Sequence, residues 1–328
     1  MRAVLCRELS GLDGLAVGET ATPEPGACHV RIKVRAAGVN FADTLMIRGR
    51  YQDRPALPFI PGLEVAGEIE KLGAAATGLE LGQRVMALVG QGGFAEKVVA
   101  RAEDVIPLPD DIDDVTAAGF AVAYGTAYGA LSWRAQLHAG ETLLVHGAAG
   151  GVGLTAVECG KAMGARVIAT ARGAEKLALA RSHGADVAID SEDPDFVARI
   201  KEAAGEGGVD VAFDPVGGEA FKASLRAIAW EGRIVVIGFA SGDVPQIPAN
   251  ILLVKNASVM GFYWGSYRRH DPERLRDAFE SLFDWHRDGR IRPHVSHRLP
   301  LAQAREALAL LLERRSTGKV VLTVDDAG

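Results

Sequence analysis

The residues of this chain best placed to do chemistry are the glycines of Glu141-Thr-Leu-Leu-Val-His-Gly-Ala-Ala-Gly-Gly-Val-Gly153. An apolar run enters Gly147, and an amphipathic pattern carrying Leu154, Val157, Cys159 and Met163 follows Gly153. A strand that turns through three spaced glycines into a helix is built to cradle a dinucleotide. One glycine makes the turn, one lets the backbone approach a pyrophosphate, and one lets helix and strand pack closely. Gly147, Ala149, Gly150, Gly151, Val152 and Gly153 are the expected cradle, their amides facing the phosphates at the helix start.

The tip of the next apolar run, Ala165–Arg172, indicates which dinucleotide is held. An NAD-preferring site places a carboxylate there to accept from the adenosine ribose. This chain offers Thr170, Ala171, Arg172 and Gly173, then Lys176 one turn on. Two cations without a carboxylate at the tip suit a 2'-phosphate, so NADPH is the expected cofactor. The competing account makes Arg172 and Lys176 ordinary surface charge.

Positioning such a site takes more than one core, and 328 residues exceed what one usually supports. With 48% apolar and 24% charged residues the chain has a globular balance. It has no apolar run long enough to span a bilayer and no signal-peptide pattern. A formal charge of −6 without a basic stripe argues against nucleic acid as main partner. Cys6, Cys28 and Cys159 are too few and too scattered for a disulfide framework or a four-cysteine zinc site, and fit a reducing cytoplasm.

Short strands broken by Gly and Pro fill the first third, predicting a compact, partly barrel-like β domain. From about Tyr124 strands and helices alternate. The predicted strands are 142–146, 166–170, 187–190, 209–214, 233–238 and 258–262, with helices over 153–163, 174–182, 195–204 and 219–228. Apolar strands such as Ile234-Val-Val-Ile237 belong in a parallel sheet covered on both faces, and right-handed crossovers make it doubly wound. Beyond Tyr267 come a helix ending near Gly289, a strand, a helix and a last strand, expected to complete the first domain and leave a cleft beside the cofactor.

Taken in order, Ala37-Gly-Val-Asn-Phe-Ala-Asp43, Pro58-Phe-Ile-Pro-Gly-Leu-Glu-Val-Ala-Gly67, Leu81-Gly-Gln-Arg-Val85, Gly147–Gly153, Asp214-Pro-Val-Gly-Gly218 and Thr317-Gly-Lys-Val-Val321 resemble the medium-chain dehydrogenase/reductase superfamily. Over nearly its full length the chain is similar to the zinc-free NADPH:quinone oxidoreductase (zeta-crystallin-like) family. That resemblance implies a GroES-like, partly open β-barrel domain over 1–122, a Rossmann domain over 123–265, and a segment over 266–328 returning to the first. Zinc enzymes of the superfamily carry Cys where Asn40 stands and His where Leu63 stands, so no catalytic metal is expected.

The implied chemistry is reduction of quinones or related α,β-unsaturated carbonyls by direct hydride transfer. The protein then orients the partners and stabilises negative charge on the substrate oxygen. Asn40 and Tyr51 match positions near that oxygen, with Asp43 in support. Asn40 alternatively caps a turn, and Tyr51 alternatively packs on the Pro55–Pro58 turn. Thr126, Gly238 and Phe239 are expected near the cofactor; Thr126 alternatively serves helix packing. Arg315 matches an arginine that reaches the adenosine phosphate, beside Lys319. Asn250, Phe262 and Trp264 are assigned to the substrate pocket; the aromatic patch Phe262, Tyr263, Trp264 and Tyr267 alternatively forms the seam of an expected homodimer.

Two other functions stay open. A long apolar channel with a basic mouth at Arg48, Arg50 and Arg54 would favour reduction of an enoyl thioester, although ordinary solvated charge also accounts for these arginines. Tight NADPH binding without turnover would favour a non-catalytic crystallin-like or RNA-binding protein.

Overall fold

The computed structural model describes residues 1–324. The chain divides into two compact units. The first takes Met1–Val122, Arg268–Arg276 and the chain from Pro293; the second takes Ala123–Tyr267 and Asp277–Arg292.

In the first unit an open mixed sheet runs in the order Val295–Pro300, Lys319–Thr323, His29–Val39, Glu64–Leu72, Arg84–Leu88 and Val105–Pro107, with Lys97–Arg101 paired to His29–Val39. His29–Val39 shows why these residues choose a strand. Val30, Ile32 and Val34 alternate inward with charged neighbours outward, the period of a pleated, half-buried strand. The core they reach includes Met46, Ile47, Val65, Phe94, Leu308 and Val320.

Glycine decides two close approaches in this sheet. A Cβ on Gly67 would lie 2.0 Å from Lys33 O, and one on Gly38 would lie 2.1 Å from Ala118 O and 2.4 Å from Glu64 Oε1. Gly38 thus lets the Glu64 carboxylate reach its strand. A short strand at Leu15–Glu19, paired antiparallel with Arg2–Cys6, has no counterpart in the sequence reading; its exposed and half-exposed residues lack a clear alternation.

The second unit is a doubly wound sheet of six parallel strands. Their order is Val187–Asp190, Arg166–Ala171, Thr142–Val145, Val209–Asp214, Ile228–Val236, Ser258–Gly261. The order reverses beside Thr142–Val145, the strand that feeds the glycine turn. Helices Gly151–Ala162, Ala174–Ser182, Phe196–Ala204 and Gly218–Ala227 connect the strands. Leu144, Ile168, Val209, Ala212 and Ile234 are buried at the centre of this sheet.

The segment 266–328, expected to return whole, divides between the units. Residues 277–292 group with the second. There Phe279 meets the Trp264 ring at 6.0 Å and Trp285 meets Tyr128 at 5.4 Å. Residues 325–328 of that segment lie outside the described ones. A helix at Ala249–Lys255 was not expected, and Leu253 and Val254 on it are each 78% exposed, so it lacks the buried stripe that marks a helix in sequence.

Candidate active site

The dinucleotide cradle is built by close contact. Gly147 turns with φ +59°, and a Cβ on Gly153 would fall 2.1 Å from Gly147 O. At Gly150 a Cβ would meet only Gly147 O at 3.4 Å, leaving space on that side. Gly150 caps the helix Gly151–Ala162 in an extended conformation, and the first turn bond runs from Leu154 N to Gly150 O at 2.9 Å. The amides of Gly151, Val152 and Gly153 therefore precede the helical ladder and are available to phosphate oxygens. This cradle fits a dinucleotide pyrophosphate.

Beneath it His146 is buried, with Nδ1 2.9 Å from Thr170 Oγ1 and Nε2 2.9 Å from Ser224 Oγ. Burial pushes its pKa down, opposed by the neighbouring Asp214. With both ring nitrogens on hydroxyls, His146 is a neutral packing residue linking three parts of the unit. Asp214 holds the following turn, Oδ1 accepting from Val216 N at 2.8 Å and Gly217 N at 2.9 Å. Phe239 lies across that turn, its Cδ1 3.2 Å from where a Gly217 Cβ would stand. Gly238 and Phe239 thus flank the same strand ends as the cradle. Thr126 is buried on the helix Ala121–Tyr128.

At the far tip, Arg172 pairs with Glu192, Nη2 to Oε1 2.7 Å. Lys176 lies half-buried on the first turn of Ala174–Ser182. Arg315 is exposed in the first unit and pairs with Glu313 at 3.0 Å.

In the first unit Asn40, Asp43 and Lys319 come together with Glu64. Lys319 Nζ donates to Asn40 Oδ1 at 2.7 Å, Glu64 Oε1 at 2.8 Å and Val39 O at 3.1 Å. Asn40 Nδ2 donates to Glu64 Oε1 at 2.9 Å and Gly38 O at 3.4 Å. Glu64 Oε2 accepts from Val122 N at 2.8 Å. Asp43 caps the helix Phe41–Met46, accepting from Asn40 N at 2.8 Å and Gly62 N at 3.2 Å. Burial raises Asp43 to about 7, while its two backbone amides and Lys319 pull it down and Glu64 pushes it up.

The Lys319 ammonium is spent on three acceptors inside the first unit, and both Asn40 amide protons are engaged. Sequence spacing gave no sign of the ion pair, because Glu64 and Lys319 stand 255 residues apart. Tyr51 lies half-buried against the same core.

Asn250 is exposed on the first turn of Ala249–Lys255. Phe262 and Trp264 are buried within the second unit. Trp264 stacks on Trp133 at 5.7 Å, and Phe262 lies 5.5 Å from Tyr267. The helix carrying Thr126 admits them through glycines: a Cβ on Gly125 would fall 2.2 Å from the Trp264 ring, and one on Gly129 would fall 2.6 Å from Phe262. Trp133, absent from the expected patch, is its hub.

A dinucleotide cradle in a doubly wound sheet, joined to an open mixed sheet bearing a buried Asn–Glu–Lys cluster, defines a medium-chain dehydrogenase/reductase. Residues 26–110 match the family model for the alcohol dehydrogenase GroES-like domain, and residues 151–283 match that for zinc-binding dehydrogenase. The chain is 41% identical over 324 residues to a quinone oxidoreductase-like protein 2 homolog of Nematostella vectensis, covering 98% of this chain and 88% of the relative. A mycobacterial protein solved in complex with NADPH superposes with TM-score 0.92 at 34% identity, over 98% of this chain and 100% of the other. Escherichia coli quinone oxidoreductase, also solved with NADPH, superposes with TM-score 0.92 at 29% identity, over 98% and 100%. The chain belongs to the quinone oxidoreductase-like family.

The zinc in the name of one matching family model does not fit these residues. Asn40 and Leu63 supply neither thiolate nor imidazole, and the Glu64 carboxylate already holds an ammonium ion. Among the described residues no group of three or more His, Cys, Asp or Glu side chains is arranged to hold a metal.

Proposed function

We propose that this enzyme reduces quinones or related α,β-unsaturated carbonyls with NADPH. What carries the assignment is the glycine cradle, with Arg172 one strand tip away, in a chain of the quinone oxidoreductase-like family. The mycobacterial and Escherichia coli relatives solved with NADPH support it.

Gly147 and Gly150–Gly153 would hold the pyrophosphate, and Arg172 and Lys176 the 2'-phosphate. When bound, the reduced nicotinamide supplies hydride to an electron-poor carbon. The protein's share is orientation and charge control. Asn40, fixed by Lys319 and Glu64, is assigned the part of a positioning residue. The Tyr51 phenol is the donor at the substrate oxygen, where charge develops during transfer.

The test is NADPH oxidation measured against 1,2-naphthoquinone, an alkenal and a crotonyl thioester, with and without chelator. The naphthoquinone should turn over, chelator should change nothing, and Tyr51→Phe should lower kcat/KM about a hundredfold. Turnover abolished by chelator, or a Tyr51→Phe enzyme of full activity, would overturn the corresponding part.

Thioester reduction has one observation in its favour. Arg50 and Arg54 are both exposed on the loop that carries Tyr51, while Asp53 between them faces Arg269 at 3.9 Å. Crotonyl thioester outpacing the naphthoquinone would select it.

The assembly we propose is a homodimer, supported by the exposed Leu253 and Val254 next to the sheet edge Ser258–Gly261. Among the described residues no helix is long and apolar enough to cross a membrane. Cys6, Cys28 and Cys159 are free thiols, which suits a reducing compartment such as the cytoplasm.

A further inference from the structure

The strands Arg166–Ala171 and Val187–Asp190 run parallel with Ala171 opposite Asp190, and one side chain ties their tips together. Asp190 Oδ2 accepts from Gly173 N at 3.2 Å and its Oδ1 accepts from Glu192 N at 3.0 Å, while Ser191 N donates to Ala171 O at 2.9 Å. This clamp sets Arg172 and Glu192, which belong to different strand tips, face to face. Their side chains are 56% and 58% exposed, so the pair adds little to stability. Its position gives it a different use. The carboxylate missing from the tip of Arg166–Ala171 is supplied by the neighbouring tip.

We propose that Glu192 sets the cofactor preference of this enzyme. It holds the Arg172 guanidinium when no 2'-phosphate is present and accepts from the adenosine ribose hydroxyl of NADH. A 2'-phosphate must displace it. The inference rests on the assignment of Arg172 to the 2'-phosphate and deepens it.

The neighbouring acids Asp190 and Asp193 are committed elsewhere. Both Asp190 oxygens hold backbone amides. Asp193 accepts from Asp195 N at 2.8 Å and faces Arg199 at 3.6 Å. Glu192 is the acid of the turn whose partner is Arg172. A phosphate monoester brings a charge of about −1.5 to −2 to that spot. It gains Arg172 as a charge-assisted partner but meets repulsion from Glu192 until that side chain turns away. The present pair therefore taxes NADPH and spares NADH, making the enzyme less strict than Arg172 and Lys176 alone would make it.

Glu192→Gln keeps the shape and removes the charge. Direct binding is measured by calorimetry and nicotinamide fluorescence with NADPH, NADH and 2',5'-ADP, using the full chain and its Arg172→Ala variant for reference. In Glu192→Gln, NADPH and 2',5'-ADP should bind roughly two- to five-fold tighter. NADH should bind no tighter than before, and the gain should shrink as salt is raised. Unchanged NADPH affinity, or equal tightening of NADPH and NADH, would overturn the role of Glu192. If Arg172→Ala loses NADPH preference while Glu192→Gln changes nothing, the 2'-phosphate assignment stands and this one falls. If the parent shows no NADPH preference and Arg172→Ala loses none, both fall.

Discussion

A buried carboxylate and a buried ammonium stabilise a fold only as partners, and Glu64 and Lys319 are each almost fully enclosed, at 0% and 7% side-chain exposure. Lys319→Met would leave the carboxylate paired only with the amides of Asn40 and Val122. The expected loss of unfolding free energy is about 3–5 kcal/mol, from a buried charge left without its counter-ion. Replacing both residues, Lys319→Met with Glu64→Gln, should recover part of that loss, giving a coupling energy of about 1–3 kcal/mol in a double-mutant cycle by urea unfolding. Simple additivity of the two single losses would show that the pair is not one energetic unit. The same cluster fixes Asn40, whose carboxamide touches Lys319, Glu64 and Gly38 at once.

At the scale of elements, the glycine turn separates what the fold requires from what a ligand requires. A methyl on Gly153 would strike Gly147 O at 2.1 Å, so Gly153→Ala must push the helix Gly151–Ala162 off its strand. A methyl on Gly150 would meet only Gly147 O at 3.4 Å. Gly153→Ala should therefore cost about 1–3 kcal/mol of stability and weaken cofactor binding together. Gly150→Ala should lower the melting temperature little while weakening NADPH at least about tenfold, because the methyl occupies the face left for phosphate. Thermal melts and calorimetric titration of both variants check the contrast; equal melting temperatures would mean that Gly153 is not the packing glycine.

The legibility of these elements in the sequence has the same physical origin. The cradle was readable because its strand, turn and helix are contiguous and each has its own period. The six parallel strands were readable because each is a short apolar run between turn residues; only the start of Ile228–Val236 was missed, where Trp230, Glu231 and Gly232 break the run. The exposed helix Ala249–Lys255 and strand Leu15–Glu19 were not readable, since neither buries a regular face. The partners of Asn40 and Arg172 lie on other segments, and no spacing rule links Glu64 to Lys319 or Arg172 to Glu192.

At the scale of the whole molecule, the exposed edge of the six-stranded sheet is the surface that invites assembly. Ser258–Gly261 is paired on one side by Ile228–Val236 and ends the six-stranded order on the other. Such an edge presents backbone donors and acceptors to any strand that arrives. On the helix just before it, Leu253 and Val254 are each 78% exposed, while the aromatic residues Phe262 and Trp264 are already buried inside the protomer. A two-fold contact at this edge would bring the same pair of side chains from each copy into one apolar centre. Burying one such side chain is worth about 1.5–3 kcal/mol, so Leu253→Asp in both copies should weaken the dimer by at least about 3 kcal/mol, more than a hundredfold in dissociation constant. Leu81, 65% exposed in the first unit, supplies the comparison. Sedimentation velocity should find the parent and Leu81→Asp dimeric and Leu253→Asp monomeric, with unchanged far-ultraviolet dichroism in all three. A monomeric parent, or a Leu81→Asp protein that dissociates as readily as Leu253→Asp, would remove the sheet edge as the seat of assembly.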